Sequence, residues 1–385
     1  WIPAAWILLE WVRSFLLTGF PWLALGYSQV ATPLGAYAPI LGVYGAGFAC
    51  MLVAFLLLVV VAPRSGLLAR SAGVAAIIAV FAIGFGLGRI AWTHPGGPAF
   101  RVSLVQGNIA QTLKWEPDMF ARSVTRYRDL TAAHWSSALI VWPEDAVPLW
   151  YEQAEPALDA LAREARRHGS EVVLGVPVYD EANDAGYNAV VSLGSVHATY
   201  YKRHLVPFGE YFPVPDWIKS WLSAHALPYS SFTPGPWMQP PLAVGRWQAV
   251  VANCYEIAFG RLLITQLPAG EFILNLSDDG WFGNSIALPQ QFQMARLAAR
   301  ATGRYVLAAT DDGITGIIDE RGSVLATLPT HTVGVLTGAA RPFAGATPYV
   351  RMGNRGIVIA CAFLVALALA LALAAVLRRK SAADS

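Results

Sequence analysis

The sequence predicts an α/β layered domain attached to a bundle of transmembrane helices. The 385 residues are 55% hydrophobic and only 14% charged, which is too apolar for an ordinary soluble enzyme. Long uncharged runs occur towards both ends of the chain, and they are typical of membrane spans. Between them, short β-rich stretches alternate with amphipathic helical patterns, which predicts helices packed on a sheet.

The membrane part is predicted from charge. Residues 14–63, 71–88 and 356–377 contain no Asp, Glu, Lys or Arg, and each run is long enough to cross a bilayer. Prolines interrupt the first run, so we divide it in two. We predict four spans, at about 1–20, 38–62, 71–90 and 355–378, the first three lying within a membrane region 1–92. Since Trp1 is not an initiator residue and opens an apolar segment, further spans are expected upstream.

Basic residues orient these spans. Arg64 and Arg70 lie between the second and third spans, and basic residues also follow the fourth. Such residues are enriched on the cytoplasmic side, so the short tail 379–385 is predicted to be cytoplasmic. The domain 93–354 is then extracytoplasmic.

The extracytoplasmic domain shows the expected alternation of elements. Helices are predicted at 118–135, 155–169 and 289–303. Strands are predicted at 100–106, 138–142, 171–179, 188–193, 198–202, 247–253, 271–276, 304–309 and 313–319. A long arm, 203–246, is rich in proline and aromatic residues, which favours a functional loop. Within it, 216–227 is either a helix packed on the domain or an interfacial helix at the membrane surface.

Three predicted strands end in residues able to do chemistry. Glu144 follows one strand, Lys202 and Glu210 follow another, and Cys254 with Glu256 follows a third. Cys254 is the only cysteine outside the predicted spans, so it has no disulfide partner there. Glu144 is a candidate base, with a pKa expected to be raised by burial, and Lys202 is a candidate donor to an oxyanion. Taken singly, a packed cysteine, a turn glutamate and a surface lysine are the commoner interpretations.

Four motifs carry a family resemblance. "WPEDAVP" (142–148), "YYKRHLVPFGEYFP" (200–213), "NCYEIAFG" (253–260) and "LNLSDDGWFGNS" (274–285) resemble the nitrilase, or carbon–nitrogen hydrolase, superfamily. Together with "LLTGFPWLALGYSQ" (16–29), "GVYGAGF" (42–48) and the flanking spans, they resemble the apolipoprotein N-acyltransferase family.

The resemblance implies a nitrilase-like αββα sandwich with a catalytic triad of Glu144, Lys202 and Cys254. It implies that Glu210 supports this site and that Tyr255 and Glu256 help to position the nucleophile. The implied reaction moves the sn-1 acyl chain of a phospholipid, typically phosphatidylethanolamine, through a cysteine thioester to the α-amine of a lipoprotein's diacylglyceryl-cysteine. The implied location is the bacterial inner membrane, with the catalytic domain in the periplasm.

The chain departs from the family at several positions. Phe292 stands where histidine is frequent, and Asp278, Asp311 and Asp312 stand where Asn or Thr is common. These positions lie outside the triad, so the departures concern the residues around the substrate and not the reaction.

Several further side chains are candidates for binding substrate. The candidates for lining an acyl pocket are Trp115, Trp142, Trp237, Trp281 and Phe282. Trp281 and Phe282 are equally well explained as aromatics that fill the sandwich. His204 is a candidate polar contact to substrate, although a purely structural role in its turn is the commoner interpretation.

No cofactor, metal or nucleic acid is predicted. The histidines are scattered, and none lies at ligand spacing from a Cys or carboxylate. Two alternative functions remain open at this point. The domain is either a membrane-tethered amidase or nitrilase that hydrolyses a small amide with the same triad, or an inactive nitrilase-like module that binds a membrane partner.

Overall fold

The computed structural model describes residues 1–116, 119–214 and 232–383, and its contacts divide the chain into two units. One unit comprises Trp1–Ala91 and the segment that begins at Thr347, and the other is Trp92–Ala346. The first boundary lies beside the predicted one. The second lies eight residues before the predicted boundary at 354, because a short helix after Thr347 packs with the helical unit.

The first unit is helical. Three of its helices, among the described residues, are long and apolar enough to cross a membrane, namely Pro33–Val61, Leu67–Leu87 and Arg355–Arg379. The α-helices of this unit are Ile2–Arg13, Ala38–Val61, Leu67–Leu87, Pro348–Met352 and Arg355–Ala383. The last helix runs on past Arg379, so most of the predicted tail is helical and continuous with the span.

The first predicted span is wrong in its extent. The helix Ile2–Arg13 has only 12 residues, and the chain then turns before Phe20. Leu17 and Gly19 adopt φ angles of 60° and 81°, which a helix cannot contain, and the Phe20 amide donates back to the Arg13 carbonyl at 2.8 Å. An uncharged composition does not reveal this turn.

The helix Pro348–Met352 explains the second boundary. Tyr349 is buried, and its ring occupies the space beside Gly42. A Cβ on Gly42 would lie 2.5 Å from that ring, and the φ of 67° at Gly42 marks a kink that interrupts the helical backbone within Ala38–Val61. Glycine is therefore required there, and the segment after Thr347 packs within the helical unit.

In its described residues, the second unit contains two six-stranded sheets and a two-stranded ribbon. The strands are β1 His94–Pro95, β2 Phe100–Gln106, β3 Leu139–Val141, β4 Glu171–Asp180, β5 Ala185–Leu193, β6 Ala198–Tyr201, β7 Leu242–Val244, β8 Trp247–Asn253, β9 Phe272–Ser277, β10 Val306–Thr310, β11 Gly316–Ile318, β12 Val324–Thr327, β13 Gly334–Ala340 and β14 Phe343–Ala344. The first sheet has the strand order β13-β2-β3-β4-β5-β6, and the second has the order β12-β11-β10-β9-β8-β7. In the ribbon, β1 pairs with β14.

The two faces of the first sheet are both buried. Val102 and Leu104 contribute to one core, which they share with Phe272 and Leu274 of the other sheet. Val105 contributes to a separate core on the opposite face. Alternate residues of a strand point to opposite faces, so a central strand in a layered fold is apolar on both.

Helices cover the outer faces and complete the predicted αββα sandwich. Met119–Ala132 and Tyr151–His168 lie over the first sheet, and Ala287–Thr302 packs on the second. Tyr151–His168 ends at Gly169, which has a φ of 68°, as its sequence predicts. The short helices Gln111–Lys114 and Gly260–Ile264 connect elements of the unit.

The arm is shorter than predicted. β7 lies inside the predicted range 203–246 and pairs with β8 through a tight turn at Gly245, which has a φ of 55°. The predicted helix at 216–227 lies outside the described residues.

Candidate active site

The candidate nucleophile lies at a sharp turn where β8 ends. Cys254 is buried and opens a 3₁₀ turn, Cys254–Ala258. Its φ of 53° is unusual for a residue with a side chain, so the backbone is strained at this position. Asn275 on the neighbouring β9 donates to the carbonyls of Ala252 and Cys254, at 2.9 and 3.2 Å, and thereby fixes the turn.

Lys202 follows β6 and is paired with two carboxylates. Its Nζ lies 2.9 Å from Glu144 Oε1 and 3.0 Å from Glu210 Oε1. The lysine side chain is 1% exposed, so these pairs are shielded from solvent. The structure thus brings together three of the residues that the sequence predicted separately.

Asn188 on β5 connects this group to the turn of the nucleophile. Its Nδ2 lies 2.9 Å from Glu144 Oε1 and 2.6 Å from Glu210 Oε1. Its Oδ1 accepts from Asn253, the residue before Cys254, at 2.8 Å. Sequence reasoning missed Asn188, although a buried asparagine within an apolar strand pattern is itself a signal of a polar network.

The charges of the site depend on one another. Burial alone would lower the pKa of Lys202, but Glu144 and Glu210 raise that pKa well above its ordinary value. Burial alone would raise the pKa of Glu144, but the Lys202 ammonium and hydrogen bonds hold it below its usual value. The predicted rise in the pKa of Glu144 is therefore wrong, because its cationic partner outweighs desolvation.

Cys254 is a neutral thiol at rest. Burial and the nearby charge of Glu144 raise its pKa well above the ordinary value, against the opposing effects of Lys202 and Ser277. The resting site therefore contains an ionised glutamate, a protonated lysine and an undissociated thiol. A proton must leave the sulfur as it attacks, which requires a base at the site.

The Glu256 carboxylate accepts four hydrogen bonds that its sequence motif did not reveal. Its Oε1 accepts from the backbone amides of Arg203 and His204 at 2.8 and 3.1 Å. Its Oε2 accepts from the Tyr200 hydroxyl and the Asn253 amide, both at 2.9 Å. Glu256 thus connects the turn of the nucleophile to the segment after Lys202. Tyr255 is buried, with its ring 5.8 Å from that of His204.

A second buried ion cluster supports Glu144. The Asp278 amide donates to Glu144 Oε2 at 3.0 Å, while the Asp278 carboxylate pairs with Lys114 at 2.5 Å. Lys114 also pairs with Asp311 at 3.2 Å, and Asp311 accepts from Tyr127. Two of the family departures, Asp278 and Asp311, therefore act as counterions of Lys114. Sequence reasoning missed Lys114, because nothing in its local pattern predicts burial.

Ser277 contacts the sulfur itself. Its hydroxyl lies 3.3 Å from Cys254 Sγ and 2.5 Å from Asp279 Oδ1. It also accepts from Gln291 Nε2 at 2.7 Å. Sequence reasoning did not single out any of these three polar neighbours. β9 runs parallel to β8, which places Ser277, the last residue of β9, beside the end of β8 where Cys254 begins.

The aromatic candidates fall into two groups. Trp142 is fully buried beneath the outer helices, and its indole donates to Thr131 at 2.9 Å. This packing rules out its predicted place in an acyl pocket. The other four side chains expose between a third and two thirds of their surface, and they are Trp115, Trp237, Trp281 and Phe282. This exposure also argues against the alternative in which Trp281 and Phe282 fill the interior of the sandwich.

The His204 ring packs against that of Phe259, with the ring centroids 3.7 Å apart and the ring planes inclined by 37°. Burial, aided by the charges of Arg261 and Lys202, lowers its pKa to about 4, so the imidazole is neutral. Within the described part of the chain, its Nε2 has no hydrogen-bond partner. A substrate contact by His204 therefore stays a prediction.

Among the described residues, no group of three or more His, Cys, Asp or Glu side chains is arranged to hold a metal ion.

Comparisons with known proteins agree with this architecture. Residues 101–349 match the carbon-nitrogen hydrolase family model, and residues 1–56 match the apolipoprotein N-acyltransferase N-terminal domain. The chain is 43% identical to the apolipoprotein N-acyltransferase of Methylococcus capsulatus, over 96% of this chain and 73% of that protein. It is 42% identical to the Nitrosomonas europaea enzyme of the same name, over 92% of this chain and 71% of that protein. The chain belongs to the apolipoprotein N-acyltransferase family, and the greater part of its Trp92–Ala346 unit is a carbon–nitrogen hydrolase domain.

Proposed function

We propose that this membrane protein is an N-acyltransferase that moves the sn-1 acyl chain of a phospholipid to the α-amine of a lipoprotein's diacylglyceryl-cysteine. The acyl chain passes through a thioester on Cys254. The observation that carries the mechanism is Lys202, which is buried between Glu144 and Glu210 beside the strained turn of the only cysteine in its unit.

The first half-reaction forms the thioester. Glu144 takes the proton of the Cys254 thiol as the sulfur attacks the ester carbonyl. A lysine ammonium has three N–H donors, and two of those on Lys202 are used by the carboxylates. The third is left for the developing oxyanion. The carbonyl then re-forms, the bond to the glycerol oxygen breaks, and Glu144 returns its proton to that oxygen.

The second half-reaction consumes the thioester. The acceptor amine attacks the thioester carbonyl, Glu144 takes a proton from the nitrogen, and the carbon–sulfur bond breaks. The proton then returns to the Cys254 sulfur, so the enzyme is restored. Since the base accepts one proton in each half-reaction and gives it back, no other co-reactant is needed.

The setting supports lipid substrates. The family places a phospholipid donor and a lipoprotein acceptor in a membrane, and we take phosphatidylethanolamine as the donor and the bacterial inner membrane as the location. The Arg64 and Arg70 pattern supports a periplasmic catalytic unit. Exposed aromatic side chains at Trp115, Trp237 and Trp281 support contact with acyl chains.

The test is intact-mass analysis of the purified protein after incubation with phosphatidylethanolamine in detergent. We expect a mass gain equal to one acyl group, which hydroxylamine removes because it cleaves thioesters. Adding a diacylglyceryl-cysteine peptide should discharge the acyl group and yield the N-acylated peptide.

Two variants make this test decisive. Cys254→Ser should show no hydroxylamine-sensitive adduct, whereas Cys361→Ser, at a buried thiol of the helical unit, should behave as wild type. A hydroxylamine-sensitive acyl adduct that still forms on the Cys254→Ser protein would contradict the proposal. Release of ammonia from a small primary amide, supplied in place of the phospholipid, without peptide acylation in the lipid assay would favour the amidase alternative. The absence of both an adduct and amide hydrolysis in the wild type would favour an inactive module.

A further inference from the structure

The hydroxyl of Ser277 has more partners than it has protons. A serine hydroxyl donates one hydrogen bond and accepts up to two. Gln291 Nε2 donates to it at 2.7 Å, which leaves Cys254 Sγ at 3.3 Å and Asp279 Oδ1 at 2.5 Å as competing acceptors of the single proton. The proton therefore goes to the sulfur or to the carboxylate, and not to both.

The charge state of Asp279 decides between these arrangements. An ionised carboxylate is an acceptor only, so it takes the Ser277 proton. A protonated carboxyl can donate to Ser277 Oγ instead, which frees the hydroxyl proton for Cys254. All three side chains are buried, and Gln291 Oε1 has no partner among the described residues.

We propose that Ser277 is a further catalytic residue, which donates its hydroxyl proton to the Cys254 sulfur and stabilises the thiolate when Asp279 is protonated. Asp279 and Gln291 are positioning residues that act through it. This inference rests on the proposed role of Cys254 as nucleophile. Glu144 still removes the thiol proton, and Ser277 keeps its own proton throughout.

The surroundings of Asp279 favour its protonated form. Burial, aided by the charges of Asp312, Asp278 and Glu144, raises its pKa to about 7 against the opposing hydrogen bond from Ser277. The two lysines nearby are engaged elsewhere: Lys114 pairs with Asp278 and Asp311, and Lys202 pairs with Glu144 and Glu210. The imidazole of His331 lies 3.8 Å from the Asp312 carboxylate. The Ser277 proton is therefore expected to change its acceptor, from the Cys254 sulfur to the Asp279 carboxylate, as the pH rises through about 7.

Alkylation of Cys254 tests this directly, because only the thiolate reacts. The rate of iodoacetamide labelling of the peptide that contains Cys254 is measured by mass spectrometry from about pH 5.5 to about pH 9. Below pH 7 we expect Ser277→Ala to react roughly tenfold more slowly than wild type, as for the loss of one hydrogen bond to a charged group. Above pH 8 the difference should narrow, because Ser277 then donates to Asp279 in the wild type.

Asp279→Asn gives the complementary result. It should react at the wild-type rate below pH 7 and roughly tenfold faster above pH 8, because the neutral amide leaves Ser277 directed at the sulfur. Ser277→Thr should restore part of the lost rate. The matched control is Ser103→Ala, another buried serine, whose hydroxyl bonds to Ser137 and Thr337 and which should follow the wild type at every pH.

Two results would overturn the inference. One is a Ser277→Ala protein, with an unchanged melting temperature, that reacts at the wild-type rate at every pH. The other is an Asp279→Asn protein with the wild-type pH profile. Neither labelling measurement uses a lipid, so these results test the role of Ser277 separately from acyl transfer. Acyl transfer is tested by the mass adduct formed with phosphatidylethanolamine and by its loss in Cys254→Ser.

Discussion

At the scale of single residues, the side chain of Asn188 links the charged groups of the site by hydrogen bonds. One amide nitrogen donates to both Glu144 and Glu210, and the amide oxygen holds Asn253 next to the nucleophile. Its removal would leave the buried Glu144 carboxylate and the half-buried Glu210 carboxylate with one donor fewer each. A buried polar group that loses its hydrogen-bond partner destabilises the folded state. Here we expect the loss to shift Glu144 and Glu210, and with them Lys202, from their positions in the site.

We therefore predict that Asn188→Ala slows thioester formation by about 10-fold to 100-fold. The rate is measured from the time course of the acyl adduct by intact mass. The matched control is Asn183→Ala, an exposed asparagine in the turn between β4 and β5, which should acylate like the wild type. Wild-type rates in Asn188→Ala would show that the amide has no part in arranging the carboxylates.

The residues that were predicted differ in kind from those that were missed. Glu144, Lys202 and Cys254 carry charge or a thiol at strand ends, so their side chains indicate chemistry. Ser277 and Asn188 carry neutral groups that occur in many strands, and only their neighbours give them a role. The pKa of Glu144 was predicted in the wrong direction because burial was foreseen without the distance to Lys202.

At the scale of elements, β4 approaches the segment that follows β3 unusually closely. The Gly175 amide donates to the Pro143 carbonyl at 3.0 Å, and a Cβ on Gly175 would lie 2.5 Å from Glu144 Cα. No side chain fits there without moving the backbone that carries Glu144. The position of the candidate base thus depends on a glycine of the adjacent strand.

We predict that Gly175→Ala lowers the rate of acylation by about 100-fold, since a small misplacement of a catalytic group has effects of that size. The melting temperature should fall as well, because the clash is with backbone. Gly334→Ala on β13 is the control, since its Cβ would meet Leu328 at an ordinary 3.7 Å. Equal rates for the two variants would show that Glu144 tolerates the shift.

The elements differ in how far they could be predicted. The seven-residue strands β2 and β8 were predicted at their observed bounds, because valine and aromatic residues form a recognisable β-rich run in each. β1, β7, β12 and β14 were missed, since two to four residues give no clear period. The seven-residue β13 was missed as well, because its Gly and Ala residues leave only Val335 and Leu336 as a β-rich signal. The first span was extended too far, because the turn at Leu17 leaves no mark in hydropathy.

At the scale of the whole molecule, the basic residues predict the orientation in the membrane. We expect alkaline phosphatase, which is active only outside the cytoplasm, to be active when fused after Thr93 and inactive when fused after Arg64. A green fluorescent protein at the carboxyl terminus should fluoresce, as it does when cytoplasmic. The reverse pattern of phosphatase activity would contradict the periplasmic position that we propose for the Trp92–Ala346 unit.

The sequence by itself determined the fold class, three of the four predicted spans, the family and the three candidate groups for acyl transfer. These are local properties, because hydropathy, strand period and short motifs are each contained within a few tens of residues. The tertiary structure decided the charge state of Glu144, the burial of Trp142 and the contacts of Asn188, Lys114 and Ser277 with the site. Such properties depend on distances between segments far apart in the chain, and a pKa or a shared proton is fixed by those distances and not by residue type alone.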